Sequence, residues 1–316
     1  EIAQCLVGSE MCIRDRDMAT NTPFGQRLGL VLEGGAMRGI YTAGVLDVFL
    51  DAGIMPDVVV GVSAGALHGC SYVAGQKGRS IRYYRKYRSD KHFMGLYSLL
   101  TTGDVVGTKF CYEDIPLRLD PFNEAAFEKA PVDFYVTVTN VRTGKPEYIL
   151  CDELKVGSKM DVIRAGASMP LCSKMVEWNG NLYLDGGVSD SIPYAKMKDF
   201  GCRKSIVVLT QPAGYLKQPA AMAPFEAMYR KYPAFVEAMR GRDQMYNTEV
   251  CAVEQAAKQG DVFLIRPSKL LHVGRMEHDI EVLNAQYELG RQDARNQMDA
   301  MREWLSLIHI SEPTRH

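Results

Sequence analysis

Val58-Val59-Val60-Gly61-Val62-Ser63-Ala64-Gly65-Ala66-Leu67 sets the reading of this chain. Asp57 to Val60 ends in three β-branched apolar residues, the pattern of a short strand buried on both faces. Ala64 to Tyr72 is small and apolar almost throughout, which predicts a buried helix. Between them lies Gly61-Val62-Ser63-Ala64-Gly65, a Gly-x-Ser-x-Gly at a strand-to-helix turn, the context a nucleophile elbow requires. Such a turn strains its central residue and needs glycine on either side to close. It exposes the Ser63 hydroxyl at the carboxyl end of a strand. The helix that begins there points amide N–H groups toward charge developing beside it.

Outward from this turn the pattern alternates. Leu28 to Leu32 reads as a strand, residues 39–52 as a helix closed by Gly53, and Phe134 to Thr139 as a strand. Asn179-Gly180 between two short runs, 174–178 and 181–184, is a two-residue hairpin signal. Ile206 to Leu209 is a further buried strand. Strands alternating with helices from about Gly29 to Thr210 predict an α/β fold with a mainly parallel central sheet between helical layers. After Gln211-Pro212-Ala213-Gly214 the chain becomes rich in Met, Arg, Glu and Gln. Residues 213–305 are expected to be a mostly helical extension packed on a domain of residues 26–212, with one strand at Val262 to Ile265. Residues 75–128 interleave Arg79, Arg82, Arg85 and Arg88 with Tyr83, Tyr84 and Tyr87. Two readings stand for this stretch: a solvated helix with tyrosines on its inner face, or a face for a nucleic acid or a lipid surface.

Composition excludes several classes. The 316 residues carry a net charge of -1, which gives no reason to expect a nucleic-acid partner. No run approaches the roughly 18 to 20 apolar residues of a membrane-spanning helix. Residues 1–17 and 306–316 resemble translated sequencing-adaptor sequence, and neither is expected to belong to the fold. The remaining cysteines, at 70, 111, 151, 172, 202 and 251, form no Cys-x-x-Cys pair. They are expected to be free thiols in a reducing cytosol. No calcium loop or zinc module is present, so no metal and no cofactor is expected.

Two further elements bear on chemistry. Glu33-Gly34-Gly35-Ala36-Met37-Arg38-Gly39 also sits at a strand-to-helix turn, where consecutive glycines can gather backbone N–H groups around an anion. Ala36 breaks the dinucleotide pattern Gly-x-Gly-x-x-Gly, which leaves the oxyanion of an acyl-transfer intermediate as the favoured anion. Asp185-Gly186-Gly187 ends a strand, consistent with a carboxylate aimed into a site at the sheet's carboxyl edge.

In that order, glycine loop with Arg, Gly-x-Ser-x-Gly and Asp-Gly-Gly, the three elements resemble the patatin-like phospholipases. The resemblance covers about Gly29 to Thr210. Arg164-Ala165-Gly166-Ala167-Ser168-Met169-Pro170 is similar to that family's segment before the Asp strand, and Ala36 stands where many members have a third glycine. The resemblance implies a serine lipid acyl hydrolase with a Ser-Asp dyad and no histidine. Ser63 would be the nucleophile and Asp185 the base, with Gly34, Gly35 and Ala36 as the oxyanion hole. Arg38 would brace the glycine loop through a carboxylate or carbonyl, and Gly39, Gly61, Gly65, Gly186 and Gly187 would support the turns. The implied partner is a lipid or fatty acyl ester. The lack of a spanning helix beside the Tyr- and Arg-rich stretch around 79–91, with the free cysteines, adds an expectation of peripheral contact at the inner membrane surface of a cytoplasmic protein. Two alternatives remain at this point. One is a Ser-His-Asp esterase using His272 or His278, with His68 and His92 less suited. The other is a catalytically silent lipid-binding or scaffold protein. No role is read for the C-terminal helical part, beyond its likeness to that of a bacterial subgroup.

Overall fold

The computed structural model describes residues 25–307. The expectation for residues 1–17 falls outside that span, as does that for 308–316, whereas Ser306 closes the last helix. Eight strands form one mixed sheet: β1 (Arg27–Leu32), β2 (Val58–Val62), β3 (Asp133–Asn140), β4 (Pro146–Leu150), β5 (Val176–Trp178), β6 (Asn181–Asp185), β7 (Cys202–Val208) and β8 (Val262–Ile265). Their order is β5-β6-β3-β2-β1-β7-β8, with β4 also paired to β3. The β3-β2-β1-β7-β8 core is parallel, and β4, β5 and β6 run antiparallel to their neighbours. The helices in chain order are α1 (Ile40–Ala52), α2 (Ala64–Val73), α3 (Arg79–Tyr87), α4 (Leu96–Thr102), α5 (Glu124–Lys129) and α6 (Lys159–Gly166). They continue with α7 (Ala223–Met228), α8 (Pro233–Arg240), α9 (Arg242–Gln259), α10 (Ile280–Asn296) and α11 (Met298–Ser306). A π-helical segment, Phe110–Leu119, follows α4.

Alternation along the central strands builds three layers. Leu30, Leu32, Val59, Ile206 and Val208 face a core closed by α1, α2 and α10. Val31, Val58, Val60 and Val207 face the opposite core, closed by Tyr246, Val253 and Ala256 of α9. Each fully buried apolar side chain of this kind contributes roughly 1.5–3 kcal/mol. The C-terminal part is mostly helical with the expected strand, and it also completes the sheet and its layers. Strand β8 pairs in parallel with β7 from Ser205↔Val262 to Val208↔Ile265, and α9 supplies one of the two layers. Helices α1 and α10 cross at two glycines. A Cβ on Gly44 would lie 2.1 Å from the Tyr287 carbonyl oxygen, and one on Gly290 2.1 Å from that of Tyr41.

In the polar stretch 75–128, α3 turns Tyr84 and Tyr87 into the protein and exposes Arg82, Arg85 and Lys86. That is the inner-face reading of its tyrosines. The Asn179-Gly180 hairpin forms as expected, with φ of 47° and 73° at its two turn residues.

Candidate active site

Strand register brings the two distant motifs together. β4 covers one edge of β3 over Tyr135 to Thr139, so β2 and β6 must share the other. There Val62 pairs with Thr137 and Asp185 with Val138, so β2 and β6 meet end to end. The residue after β2 and the last residue of β6 thus arrive at one point. Ser63 Oγ donates to Asp185 Oδ2 at 2.6 Å, and both residues are buried.

Ser63 has φ 52° and ψ -123°, a strained conformation for a residue with a side chain. The turn is tight because its glycines touch backbone. A Cβ on Gly65 would lie 2.3 Å from the Leu32 carbonyl oxygen, and one on Gly61 2.5 Å from Ala66 Cα. On the other side, the Asp185 carboxylate is fixed by its own turn. Its Oδ1 accepts from the Gly187 amide at 2.8 Å, and the carbonyl of Asp185 accepts from Thr139 Oγ1 at 2.8 Å. Gly186 packs on β3, where a Cβ would meet the Thr137 carbonyl oxygen at 2.2 Å. Burial pushes the Asp185 carboxyl above the usual Asp range; the Ser63 hydrogen bond, Arg242, the Gly187 amide and Lys217 act against this.

The glycine loop lies directly against this pair. A Cβ on Gly34 would sit 2.9 Å from Ser63 Cβ, and one on Gly39 2.6 Å from Ala64 Cβ. Ala36 has φ 48°, which explains why a glycine suits this place, yet its amide remains. Among the described residues the amides of Gly34 and Gly35 have no acceptor. The bracing differs from the expectation for Arg38. Its guanidinium makes no hydrogen bond or ion pair among the described residues, and its buried Nε has no partner. The loop is held instead by Thr210, whose Oγ1 donates to the Gly34 carbonyl at 3.0 Å. Below it Glu33 is buried, accepting from the Thr210 amide at 2.5 Å and from Tyr246 Oη at 2.9 Å. Desolvation raises the Glu33 pKa against those two donors, Arg38 and Lys217.

Two cavities meet at Ser63, which lines both. One is apolar, walled by Leu67, Tyr84, Phe93, Tyr112, Ile163 and Met169. The other is the more polar of the two, mixing apolar walls with Asp185, Arg38, Lys217, Arg242 and Arg275. Lys217, Arg242 and Arg275 escape sequence reasoning because they belong to no motif and lie outside the α/β pattern. Among the described residues no histidine lines either cavity. His68 is buried on α2 with Nδ1 at 3.0 Å from Ser80 Oγ, and burial lowers its pKa to about 4. His92, His272 and His278 are exposed. Among the described residues no group of three or more His, Cys, Asp or Glu could hold a metal, and the six cysteines are free.

An apolar cavity opening at an elbow serine defines a class, the lipid ester hydrolases. Comparison with known proteins agrees. The family model for patatin-like phospholipase matches residues 30–197, more than half of the chain, and the chain belongs to the patatin-like phospholipase family. A domain of unknown function, DUF6363, matches residues 232–306. The uncharacterized protein YjjU of Escherichia coli (strain K12) is 28% identical over 273 residues, 84% of this chain and 75% of that protein. Lysophospholipase NTE1 of Saccharomyces cerevisiae is 30% identical over 190 residues, 58% of this chain but 11% of the yeast protein. The chain thus spans about a tenth of the fungal lysophospholipases it matches. The crystal structure of VipD from Legionella pneumophila superposes with a TM-score of 0.46 at 13% identity, covering 87% of this chain and 67% of that one.

Proposed function

We propose that the chain cleaves fatty acyl esters of phospholipids or lysophospholipids by acyl transfer to Ser63, with Asp185 as base. The observation that carries this reading is the 2.6 Å hydrogen bond from Ser63 Oγ to Asp185 Oδ2, with no imidazole between them. As Ser63 Oγ attacks the ester carbonyl, its proton passes to Asp185. The carbonyl oxygen, now an oxyanion, accepts from the amides of Gly34, Gly35 and Ala36. Asp185 returns the proton to the leaving alcohol, and the acyl chain, in the apolar cavity, stays on Ser63. Water then attacks the acyl-enzyme, giving its proton to Asp185, and the fatty acid leaves as Ser63 is reprotonated.

Ser63→Ala should fold and lose essentially all turnover of a nitrophenyl acyl ester, together with labelling by a fluorophosphonate probe. Labelling at a different serine would overturn the assignment.

Peripheral contact with a lipid surface belongs to the same reading, but not through the tyrosines of α3. Leu96 and Leu100 on α4 and Leu117 are exposed. Each follows closely on residues that line the apolar cavity, Phe93 and Met94 before α4, Ile115 and Pro116 before Leu117. Among the described residues no helix is long and apolar enough to cross a membrane. Flotation with anionic liposomes at low salt should carry the wild type upward, and Leu96→Ser/Leu100→Ser should reduce it. Equal flotation of the two would remove these leucines from the contact.

A further inference from the structure

We propose that the polar cavity beside Ser63 is a subsite for a phosphoryl anion, the phosphate on the substrate's leaving group, held by Arg38, Lys217, Arg242 and Arg275. This rests on the acyl-transfer reading above and names the substrate class for it. With the acyl chain in the apolar cavity and the carbonyl at Ser63, the alcohol half of the ester must extend into the other cavity. That cavity carries four cationic side chains against two carboxylates, Glu33 and Asp185. Both carboxylates spend their hydrogen bonds elsewhere, Glu33 on Thr210 and Tyr246, Asp185 on Ser63 and Gly187, and attract the cations only through space. Among the described residues none of the four cations forms an ion pair with a carboxylate.

Three of the cations, Arg38, Lys217 and Arg242, are half-buried, while Arg275 is exposed at the rim. Arg242 spends its Nε on the Gly187 carbonyl at 2.6 Å, which leaves the rest of its guanidinium uncommitted. Lys217 Nζ lies 4.2 Å from the centre of the Tyr246 ring. The Arg38 Nε is buried without a partner. Such crowding of like charge is costly until an anion neutralises it. Lys217 records the cost: burial, then Arg242, with lesser contributions from Arg38 and Arg275, brings its pKa down to about 8 against the pull of Glu33. A phosphate offers several oxygens to converging donors, which is what two or more guanidinium groups are suited to hold. In a glycerol lipid it lies only a few bonds from the ester. Three of these cations, Lys217, Arg242 and Arg275, come from the region after Thr210, so that region would set specificity for the hydrolase.

The test compares a lysophosphatidylglycerol with the monoacylglycerol of the same acyl chain, each in neutral detergent micelles. The full chain is used as wild type and as Lys217→Met/Arg275→Met. These two are chosen because Arg242 touches the Asp185 turn and Arg38 sits on the oxyanion loop. The readout is the ratio of kcat/KM for the two substrates within each protein. The wild type should favour the phosphate-bearing lipid by about tenfold or more, and the double variant should fall to within about threefold of parity. Inorganic phosphate should compete with monoacylglycerol in the wild type and lose that effect in the double variant. A wild-type ratio near one overturns the subsite, as does a high ratio that survives in the folded double variant. Competition by inorganic phosphate without lipid preference would assign the cavity to a free anion and overturn the leaving-group assignment. Hydrolysis of both lipids with equal efficiency sinks the subsite alone. Hydrolysis of neither sinks the acyl-transfer reading with it.

Discussion

Replacing Asp185 by Asn separates the dyad from every histidine-based scheme. The geometry should persist, because an Asn oxygen can still accept from the Gly187 amide that now binds Oδ1 at 2.8 Å. What changes is the 2.6 Å contact with Ser63 Oγ, where an amide cannot take a proton. Loss of a base acting directly on the nucleophile should lower kcat/KM by on the order of 10⁴ or more, equivalent to about 5 kcal/mol of transition-state stabilisation. Stability should move the other way. Burial raises the Asp185 pKa, so the ionised form of this carboxyl disfavours the fold relative to the unfolded chain. Asn removes that charge, and the Tm should be unchanged or higher. In parallel, His68→Gln, His92→Gln, His272→Gln and His278→Gln should each keep activity within about threefold. Three of those side chains are exposed, and His68 lines neither cavity. In a triad, by contrast, loss of the histidine costs about as much as loss of the serine. Steady-state kinetics on a nitrophenyl acyl ester and a thermal melt read both quantities. The reasoning fails if Asp185→Asn stays within tenfold of wild type, or if one His variant falls to the Ser63→Ala level with its Tm intact.

Gly44→Ala would push a methyl to 2.1 Å from the Tyr287 carbonyl oxygen and force α1 and α10 apart. A loss of about 1–3 kcal/mol in urea denaturation is expected, and an unchanged midpoint would contradict the close crossing. His68, with its pKa lowered to about 4 by burial, contributes stability that is complete above the unfolded value near 6.5 and is lost as pH falls through 4. Between those limits wild type should lose on the order of 3 kcal/mol more than His68→Gln, and parallel stability profiles would refute this. Above about pH 8 Lys217 loses its charge among Arg38, Arg242, Arg275, Glu33 and Tyr246. KM for the phosphate-bearing lipid should then rise while that for the neutral ester stays flat, and identical alkaline limbs would argue against a role for Lys217.

Much of the fold was legible because local pattern and tertiary position coincide. Val58 to Val60 had to be a strand buried on both faces, and Asn179-Gly180 had to turn a hairpin. β4 was not legible: Pro146 to Leu150 is half-buried at every position, so it shows no alternation, and only its pairing with β3 makes it a strand. β8 was visible as a strand at Val262 to Ile265, but its place beside β7 is set by packing 50 residues and more away in the chain. In the candidate site, the turns that carry Ser63, Asp185 and the glycine loop were legible because tight turns demand glycines at set spacings. Arg38 was legible as a residue but not in its role, since the bracing falls to Thr210 and to the buried Glu33. The cations after Thr210 leave no such trace, because a charge can reach a cavity from any helix or loop.

The two halves of the chain are joined by one physical need. A parallel sheet whose strands are apolar on both faces requires a helix layer on each, and residues up to Thr210 place their long helices mainly on one. Helix α9 closes the other face with Tyr246, Val253 and Ala256. The same helix begins at Arg242, beside the Asp185 turn, and its Tyr246 binds the buried Glu33 beneath the glycine loop. Covering the sheet therefore brings charge to the carboxyl edge of the strands, where Ser63 lies. A substitution that loosens α9 should lower stability and disturb the polar cavity together, while one in the apolar cavity should leave the cationic side untouched. Val253→Ala with Phe93→Ala tests this. The first should lower the Tm and weaken discrimination between phosphate-bearing and neutral lipids. The second should alter acyl-chain preference without changing that discrimination. If Val253→Ala lowers the Tm but leaves the discrimination intact, the layer and the subsite are not coupled through α9.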